Sequence, residues 1–374
     1  MACLLFVALL IIAVTITYIY LKRRFITLRN VVPGMEPQIL VGNLFNSGLL
    51  SGKISFHEIL HDWQRQYGDK FLFWFGSRPT FVFCLPEHAK AILFDRQRFE
   101  QSPLFLPNFD LICPANITIL TGERYKRHAR IMLPVFKRAK VIPHIDTIVE
   151  CADRFIDQHL KENEIHRNLV EQCQTLTTNV IGLIGFDYDL QNYRESGSKI
   201  ALADFAFHVT VIMLLSWLPR SIVNIYVKFN WRLQRIYREI RQLMEKIVQQ
   251  EENNRDTMEQ TRPKNLIASL VSSLNEQAND EHTSSGLTRA EMFDEVMIAM
   301  IAGYETTSAA IAWFIFYMSK YPHIQDRIKQ ELREHDLLMT NDVQCLPAIT
   351  QEKLDALVYS ECVTKEVCVV YFYS

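Results

Sequence analysis

Six consecutive residues, Ala302-Gly303-Tyr304-Glu305-Thr306-Thr307, place a carboxylic acid beside two hydroxyls in the middle of a long apolar stretch. An acid next to a hydroxyl is a proton-delivery pair, in which the carboxyl holds a proton and the hydroxyl passes it on. The glycine adds access, because a residue without a side chain lets a flat ligand approach the backbone. A second stretch, His57-Glu58-Ile59-Leu60-His61, is a literal H-E-x-x-H. On a helix that spacing puts both histidines on one face, where they can hold zinc while Glu58 acts as base. The same residues suit a surface helix that turns Phe56, Ile59, Leu60 and Trp63 inward. Neither an H-x-x-G-x-x-H extension nor an obvious third-ligand helix follows.

The first of these elements must sit on a helix. Thr288 is a good N-cap and Glu291, three residues on, completes a capping-box pattern. No proline follows until Pro322, so the helix is about 50 Å long at 1.5 Å per residue. It is apolar nearly all round from Val296 to Ala302 and from Ala309 to Met318, which belongs in a core or a membrane. Gly303 weakens it by about 1 kcal/mol, and a carboxylate buried at Glu305 is costly unless paired or neutral. A break of this kind in a buried helix marks a use. Ile298 to Met318 is also long enough for a second membrane span. That reading puts Glu305 at the bilayer centre at a cost of a few kcal/mol, with Glu291, Asp294 and Glu295 crowding one end.

Around this helix the pattern is mostly α with a small β portion. Residues 55–67 form an amphipathic helix. Phe71 to Phe75 and Phe81 to Leu85 then read as a hairpin around a five-residue turn, residues 76–80. Further helices are expected over 86–94, 122–136, 139–160, 166–183, 198–216 and 228–252. Polar segments at 251–263 and 274–286 read as flexible surface connections. The stretch 101–120 mixes prolines with Phe105, Phe109, Ile117 and Ile119 as an irregular apolar loop. Residues 2–20 carry no charge and are long enough to span a bilayer. Lys22, Arg23, Arg24 and Arg29 follow, which predicts an uncleaved anchor with the body in the cytosol. In that setting the sequon Asn116-Ile117-Thr118 carries no sugar. The expected organisation is an anchor at 1–21, a basic stop and linker at 22–54, a body at 55–366 and a divergent apolar tail at 367–374.

The 374 residues carry a net charge of −2, which gives no reason to expect nucleic acid as a partner. Twelve glycines argue against a turn-rich barrel or sandwich. The eight cysteines lie scattered, without C-x-x-C pairs, so a disulfide framework is not expected and most read as small buried hydrophobes.

The element at 302–307 resembles the Ala/Gly-Gly-x-Asp/Glu-Thr-Thr/Ser motif on the distal helix of the cytochrome P450 family, matched at Ala302, Gly303, Glu305, Thr306 and Thr307. The resemblance extends across nearly the whole chain. It takes in the anchor and basic stop, Pro33-Gly34, Gly42-Asn43 and Tyr67-Gly68-Asp69. It continues through Gly122 to Arg130 with Pro134 and Phe136, and through Leu357 to Glu366. It implies a cytochrome P450-like fold and haem as cofactor, with Gly303 leaving room for haem and dioxygen. Glu305 and Thr306 would relay protons during oxygen activation. The products would be oxygenated apolar small molecules, and an NADPH-dependent reductase would supply electrons at the endoplasmic reticulum membrane. The family's propionate-binding Trp and Arg correspond to Tyr125 and Ala129. Tyr125 keeps a donor, and Arg130 or Arg127 substitutes from another helix face. The basic run Arg124, Lys126, Arg127, Arg130, Lys137 and Arg138 suits either an acidic electron-transfer partner or solvent. Phe105, Phe109, Ile117, Ile119 and the Phe205 to Leu218 region are candidate substrate walls, with core packing the bland alternative for each.

Two departures shape the expectation. The family's Glu-x-x-Arg is represented by Glu366 with Val369 at the arginine position, and a buried glutamate without its partner costs about 3–5 kcal/mol. The Phe-x-x-Gly-x-Arg-x-Cys-x-Gly loop, whose cysteine ligates iron, is not in the sequence, so no cysteine is assigned to metal. The expectation is a truncated or alternatively ended product, inactive as an oxygenase. Its alternatives are a membrane-bound inactive homologue or non-functional fragment and, through His57, Glu58 and His61, a zinc protease.

Overall fold

The computed structural model describes residues 11–12, 14–20, 23, 32–38, 41–49, 54–76, 78–95, 98–99, 101, 108–160, 168–190, 202–215, 218, 220–257, 265–279, 286–338 and 349–373. In chain order the main elements begin with α1 (Phe56–Tyr67), β1 (Lys70–Phe75), β2 (Arg78–Phe83), α2 (Pro86–Phe94) and α3 (Gly122–Met132). Next come α4 (Ile145–His159), α5 (Leu169–Phe186), α6 (Leu202–Leu214), α7 (Arg220–Phe229), α8 (Trp231–Thr257) and α9 (Leu266–Asn279). The chain closes with α10 (Arg289–Lys320), α11 (Pro322–Glu334), α12 (Gln351–Ala356) and α13 (Val358–Tyr373). They divide into two compact units, one of Met1–Leu104 with Val211–Ile225, the other of Phe105–Thr210 with Tyr226–Ser374.

The first unit is built on β1. Ile59 and Trp63 of α1 pack against Phe71 and Phe73, and the Trp63 ring meets the Phe71 ring edge-on at 6.2 Å. The hairpin pairs from Lys70↔Phe83 to Phe75↔Arg78. Its strands therefore pair as far as Phe75↔Arg78, closer to the turn at Gly76 (φ 60°) than the five-residue turn expected. Pro79 sits opposite Trp74 within β2, which an edge strand tolerates because that N–H has no ladder partner to lose. The other edge of β1 is taken by the supposed linker. Leu72 N–H donates to Pro33 O at 2.8 Å, and Trp74 N–H donates to Asn43 Oδ1 at 2.8 Å. A Cβ on Gly34 would stand 2.2 Å from Leu72 O, so this docking requires glycine. Residues 14–20 are helical and exposed, while much of the apolar run at 1–21 lies outside the described residues.

In the second unit α10 runs along α5. Phe155 of α4, Cys173 of α5 and Ala312 of α10 share a buried cluster with Leu176, Ile311 and Ile315. The expected capping box is present, with Glu291 N–H donating to Thr288 Oγ1 at 3.2 Å and Thr288 N–H to Glu291 Oε2 at 2.9 Å. Among the described residues α10 alone is long and apolar enough to cross a membrane. Its residues Glu291 to Met300 are nevertheless all buried in protein.

Several expected boundaries move for local reasons. The helices expected at 122–136 and 139–160 are interrupted by 3-10 turns at Pro134 and Pro143. The helix expected at 228–252 is two, because Asn230 ends α7 and caps α8 by accepting Leu233 N–H at 3.1 Å. Residues 251–257 continue α8 and 274–279 close α9, so neither polar segment is wholly a connection. Asn265 caps α9 through Ala268 N–H at 2.9 Å. Glu366 is exposed, and the expected penalty for burying it does not arise. Residues 367–373, expected as a divergent tail, continue α13 as helix. That helix begins on a borrowed cap: Glu331 of α11 accepts Tyr359 N–H at 2.6 Å and Ser360 N–H at 2.8 Å. Asn116 is fully buried, with Nδ2 donating to Cys113 O at 2.8 Å and Oδ1 accepting from Thr118.

Candidate active site

Ala302, Glu305 and Thr306 recur at i, i+3 and i+4 and so share one face of α10, and all three are exposed, as is Thr307. Tyr304, Ser308 and Ala312 take the opposite face and are buried. The expected buried carboxylate is thus an exposed one, because α5 covers the Tyr304 side instead. Gly303 also turns to α5, where a Cβ would stand 2.3 Å from Ile181 Cδ1. Close helix packing is one steric reason for a glycine there.

The polar character of this turn is carried by hydroxyls. Thr306 donates to Ala302 O at 2.6 Å, Ser308 to Glu305 O at 2.9 Å, and Thr177 of α5 to Tyr304 O at 3.0 Å. Hydroxyls that bond back to the preceding turn loosen and bend a helix. Thr306 keeps acceptor lone pairs after making its bond, so Glu305 and Thr306 stand on one exposed face as a carboxylate and a hydroxyl.

Helix α3 carries the other expected cofactor contacts. Tyr125 and Arg130 are exposed but do not share a face. Arg127 is committed elsewhere, donating to Glu291 Oε1 at 2.5 Å. The basic run is partly neutralised within the chain. Lys126 pairs with Glu123, Arg124 and Arg127 with Glu291, and Arg138 with Asp355. Of the candidate substrate walls, Phe109 is buried and Ile117 and Ile119 are half-buried, while Phe105 lies outside the described residues.

The first turns of α10 hold what sequence reasoning missed. His128 of α3 and Glu295 are both fully buried, with Nδ1 and Oε1 2.5 Å apart. His128 Nε2 makes no hydrogen bond and lies 3.6 Å from Glu291 Oε1. Burial pushes the Glu295 carboxyl up, with His128 pulling the other way. Burial would also raise Glu291, but Thr288, Arg127 and His128 outweigh it and hold that carboxyl below its ordinary value. Asp294 accepts Ala115 N–H at 2.7 Å, and burial pushes its carboxyl up to about 6. It lines a pocket of about 220 Å³ with Pro114, Tyr237, Arg241, Phe293 and Met297. The available signal was the spacing of acids at 291 and 295, one helical face, against the arginine and histidine at 127 and 128.

In the other unit Glu58 is taken up by the α1 cap, accepting Ser55 N–H at 3.0 Å and Ser55 Oγ–H at 2.7 Å. Among the described residues no group of three or more His, Cys, Asp or Glu converges as a metal site.

The cytochrome P450 family model matches residues 32–368. Cytochrome P450 734A6 of Oryza sativa subsp. japonica is 23% identical over 290 residues, covering 73% of this chain and 52% of its own length. Cytochrome P450 4Z1 of Homo sapiens is 25% identical over 337 residues, covering 84% of this chain and 61% of its own. Cytokinin hydroxylase of Arabidopsis thaliana is 22% identical over 321 residues, covering 82% and 61%. The chain therefore spans only about half to three-fifths of the length of these relatives. With most of its residues inside the family match, and the acid–hydroxyl pair on the expected helix, the chain belongs to the cytochrome P450 family.

Proposed function

We propose that this chain supplies the distal face of a haem-dependent monooxygenase that acts on an apolar small molecule. The observation that carries the reading is the exposed face of α10, where Glu305 and Thr306 stand together beside Ala302. Haem, when bound, supplies the oxygen-activating chemistry. Glu305 would hold a proton at its carboxyl and pass it to the Thr306 hydroxyl, which its bond to Ala302 O orients. Ala302 would line the same face and Thr307 its edge, with Gly303 turned to α5, and Tyr125 and Arg130 would donate to the cofactor's propionates. An NADPH-dependent reductase would supply electrons. The apolar run at 2–20 would anchor the chain in the endoplasmic reticulum membrane, with the body in the cytosol.

Ala302, Glu305 and Thr306 would offer haem one exposed helix face. Burial pushes the Cys113 thiol well up and the Cys173 thiol to about 11, away from the thiolate that would ligate iron. Cys362 and Cys368 sit on α13 without an assigned role.

The test is haem titration of the membrane-expressed full chain, read by absorption with and without carbon monoxide. Haem held at this face is expected to bind about tenfold more weakly to the double variant Tyr125→Phe, Arg130→Gln, each lost charge-assisted or hydroxyl bond contributing about 1–2 kcal/mol at most. No haem response, or one indifferent to that variant, overturns the reading. A thiolate-type Soret band in the reduced carbon-monoxide form would show that a cysteine of this chain does ligate iron.

A further inference from the structure

We propose that His128 and Glu295 are positioning residues for the distal site: their buried hydrogen bond sets how α3, the helix of Tyr125 and Arg130, is carried against α10, the helix of Glu305 and Thr306. The inference rests on the proposed function above for its purpose, and on geometry for its substance.

Both side chains are wholly excluded from solvent, 167 positions apart in sequence, and joined at 2.5 Å. Around them further links from α3 to α10 run through polar side chains. Arg127 reaches Glu291 at 2.5 Å, Arg124 reaches it at 3.8 Å, and His128 Nε2 stands 3.6 Å from the same carboxylate. Arg127 further donates to Gly286 O, just before α10 begins, at 3.4 Å. A pair of well-packed apolar residues would stabilise such a junction as well or better than a buried ionisable pair. Apolar contact is non-directional, however, whereas a short hydrogen bond between two buried groups permits one rotation of each helix. The arrangement is therefore better suited to defining a geometry than to adding stability.

The two ends of the device reach the proposed site through rigid elements. Tyr125 lies one turn before His128 on α3. Glu305 lies ten residues beyond Glu295, about 15 Å along an uninterrupted helix. A rotation of α3 about α10 would displace Tyr125 and Arg130 relative to Glu305 without altering any residue of the face itself.

The experiment measures that geometry directly. Nitroxide labels carried on a keto amino acid at positions 126 and 319, both exposed, report the α3–α10 distance by pulsed electron resonance in the full chain in membranes. Native protein is expected to give one narrow distance. His128→Leu and Glu295→Leu should broaden or move it by several ångströms. His128→Asn should restore it by offering an N–H where Nδ1 stands, and Glu295→Gln should retain it by keeping an acceptor. A native distance in the leucine variants overturns the proposal. If both leucine variants lose their helical circular dichroism, the polar variants decide, and a shifted distance in either overturns it. Haem titration of the same set separates the two readings. The leucine variants should bind haem about tenfold more weakly, in the range seen for residues that orient metal sites from behind, and His128→Asn should recover it. A chain that takes no haem at all overturns the proposed function, while the distances still decide the role of the pair.

Discussion

Between Glu291 and Met300 every residue of α10 is buried, three carboxylates included, whereas from Ala302 to Thr307 Tyr304 alone is buried. The first half of the helix is held by polar contacts: Glu291, Asp294 and Glu295 each hydrogen-bond to another part of the chain. The second half is held by shape, with Gly303 against Ile181 and Ala312 in the cluster with Phe155 and Cys173. One helix thus anchors itself by hydrogen-bonded buried acids and presents a further acid, Glu305, on its open face. A carboxylate's role here follows from which neighbour covers it, not from its place in the apolar pattern.

Substitutions along the helix sharpen that contrast. The largest effect is expected from His128→Leu, which leaves Glu295 buried without its partner and should cost about 3–5 kcal/mol in urea unfolding. A loss below 1 kcal/mol would mean that the buried half is not held by this pair. Asp294 comes next. Its carboxyl is raised to about 6 in the folded chain, above the value of an unfolded aspartate. It therefore disfavours folding at pH 8, and that penalty is relieved as pH falls through 6 towards 4. Asp294→Asn removes the dependence, so native protein should gain about 1–2 kcal/mol on the variant between pH 8 and pH 4.5, allowing for partial screening. Gly303→Ala sets a gain in helix propensity of about 1 kcal/mol against overpacking of about 1–3 kcal/mol. A net loss near 1 kcal/mol is expected, reduced when Ile181→Val makes room, as a double-mutant cycle would read. Smallest of all, Glu305→Gln should leave stability within about 0.5 kcal/mol, as for other exposed sites. A larger loss would place Glu305 in the anchoring class after all.

Much of this architecture was legible before the coordinates. The capping box at Thr288, the uninterrupted run to Lys320, the amphipathic α1 and the acid–hydroxyl element follow from local chemistry that reads directly from residue order. What was not legible depended on partners remote in sequence. The hairpin turn was misplaced because Arg78-Pro79-Thr80 looks like turn chemistry, yet an exposed edge strand accommodates proline. Asn230 was available as a cap but was hidden in a longer helical pattern, and Asn265 caps a helix that was not expected at all. Glu305 was expected inside because an apolar helix shows no preferred face until α5 chooses one. The His128–Glu295 pair joins residues 167 apart, and neither has a local pattern that announces the other.

The buried turn at Asn116 has a consequence for how the chain is made. Its side-chain amide is spent on Cys113 O and Thr118, with no room for a saccharide. An oligosaccharide can reach such an asparagine only while the chain is still unfolded on the lumenal side, because the sequon is an acceptor there and nowhere else. Once attached, it would deny the turn its closing hydrogen bond and hold the polypeptide open. Glycosylation at Asn116 and the closed form of this turn therefore exclude one another.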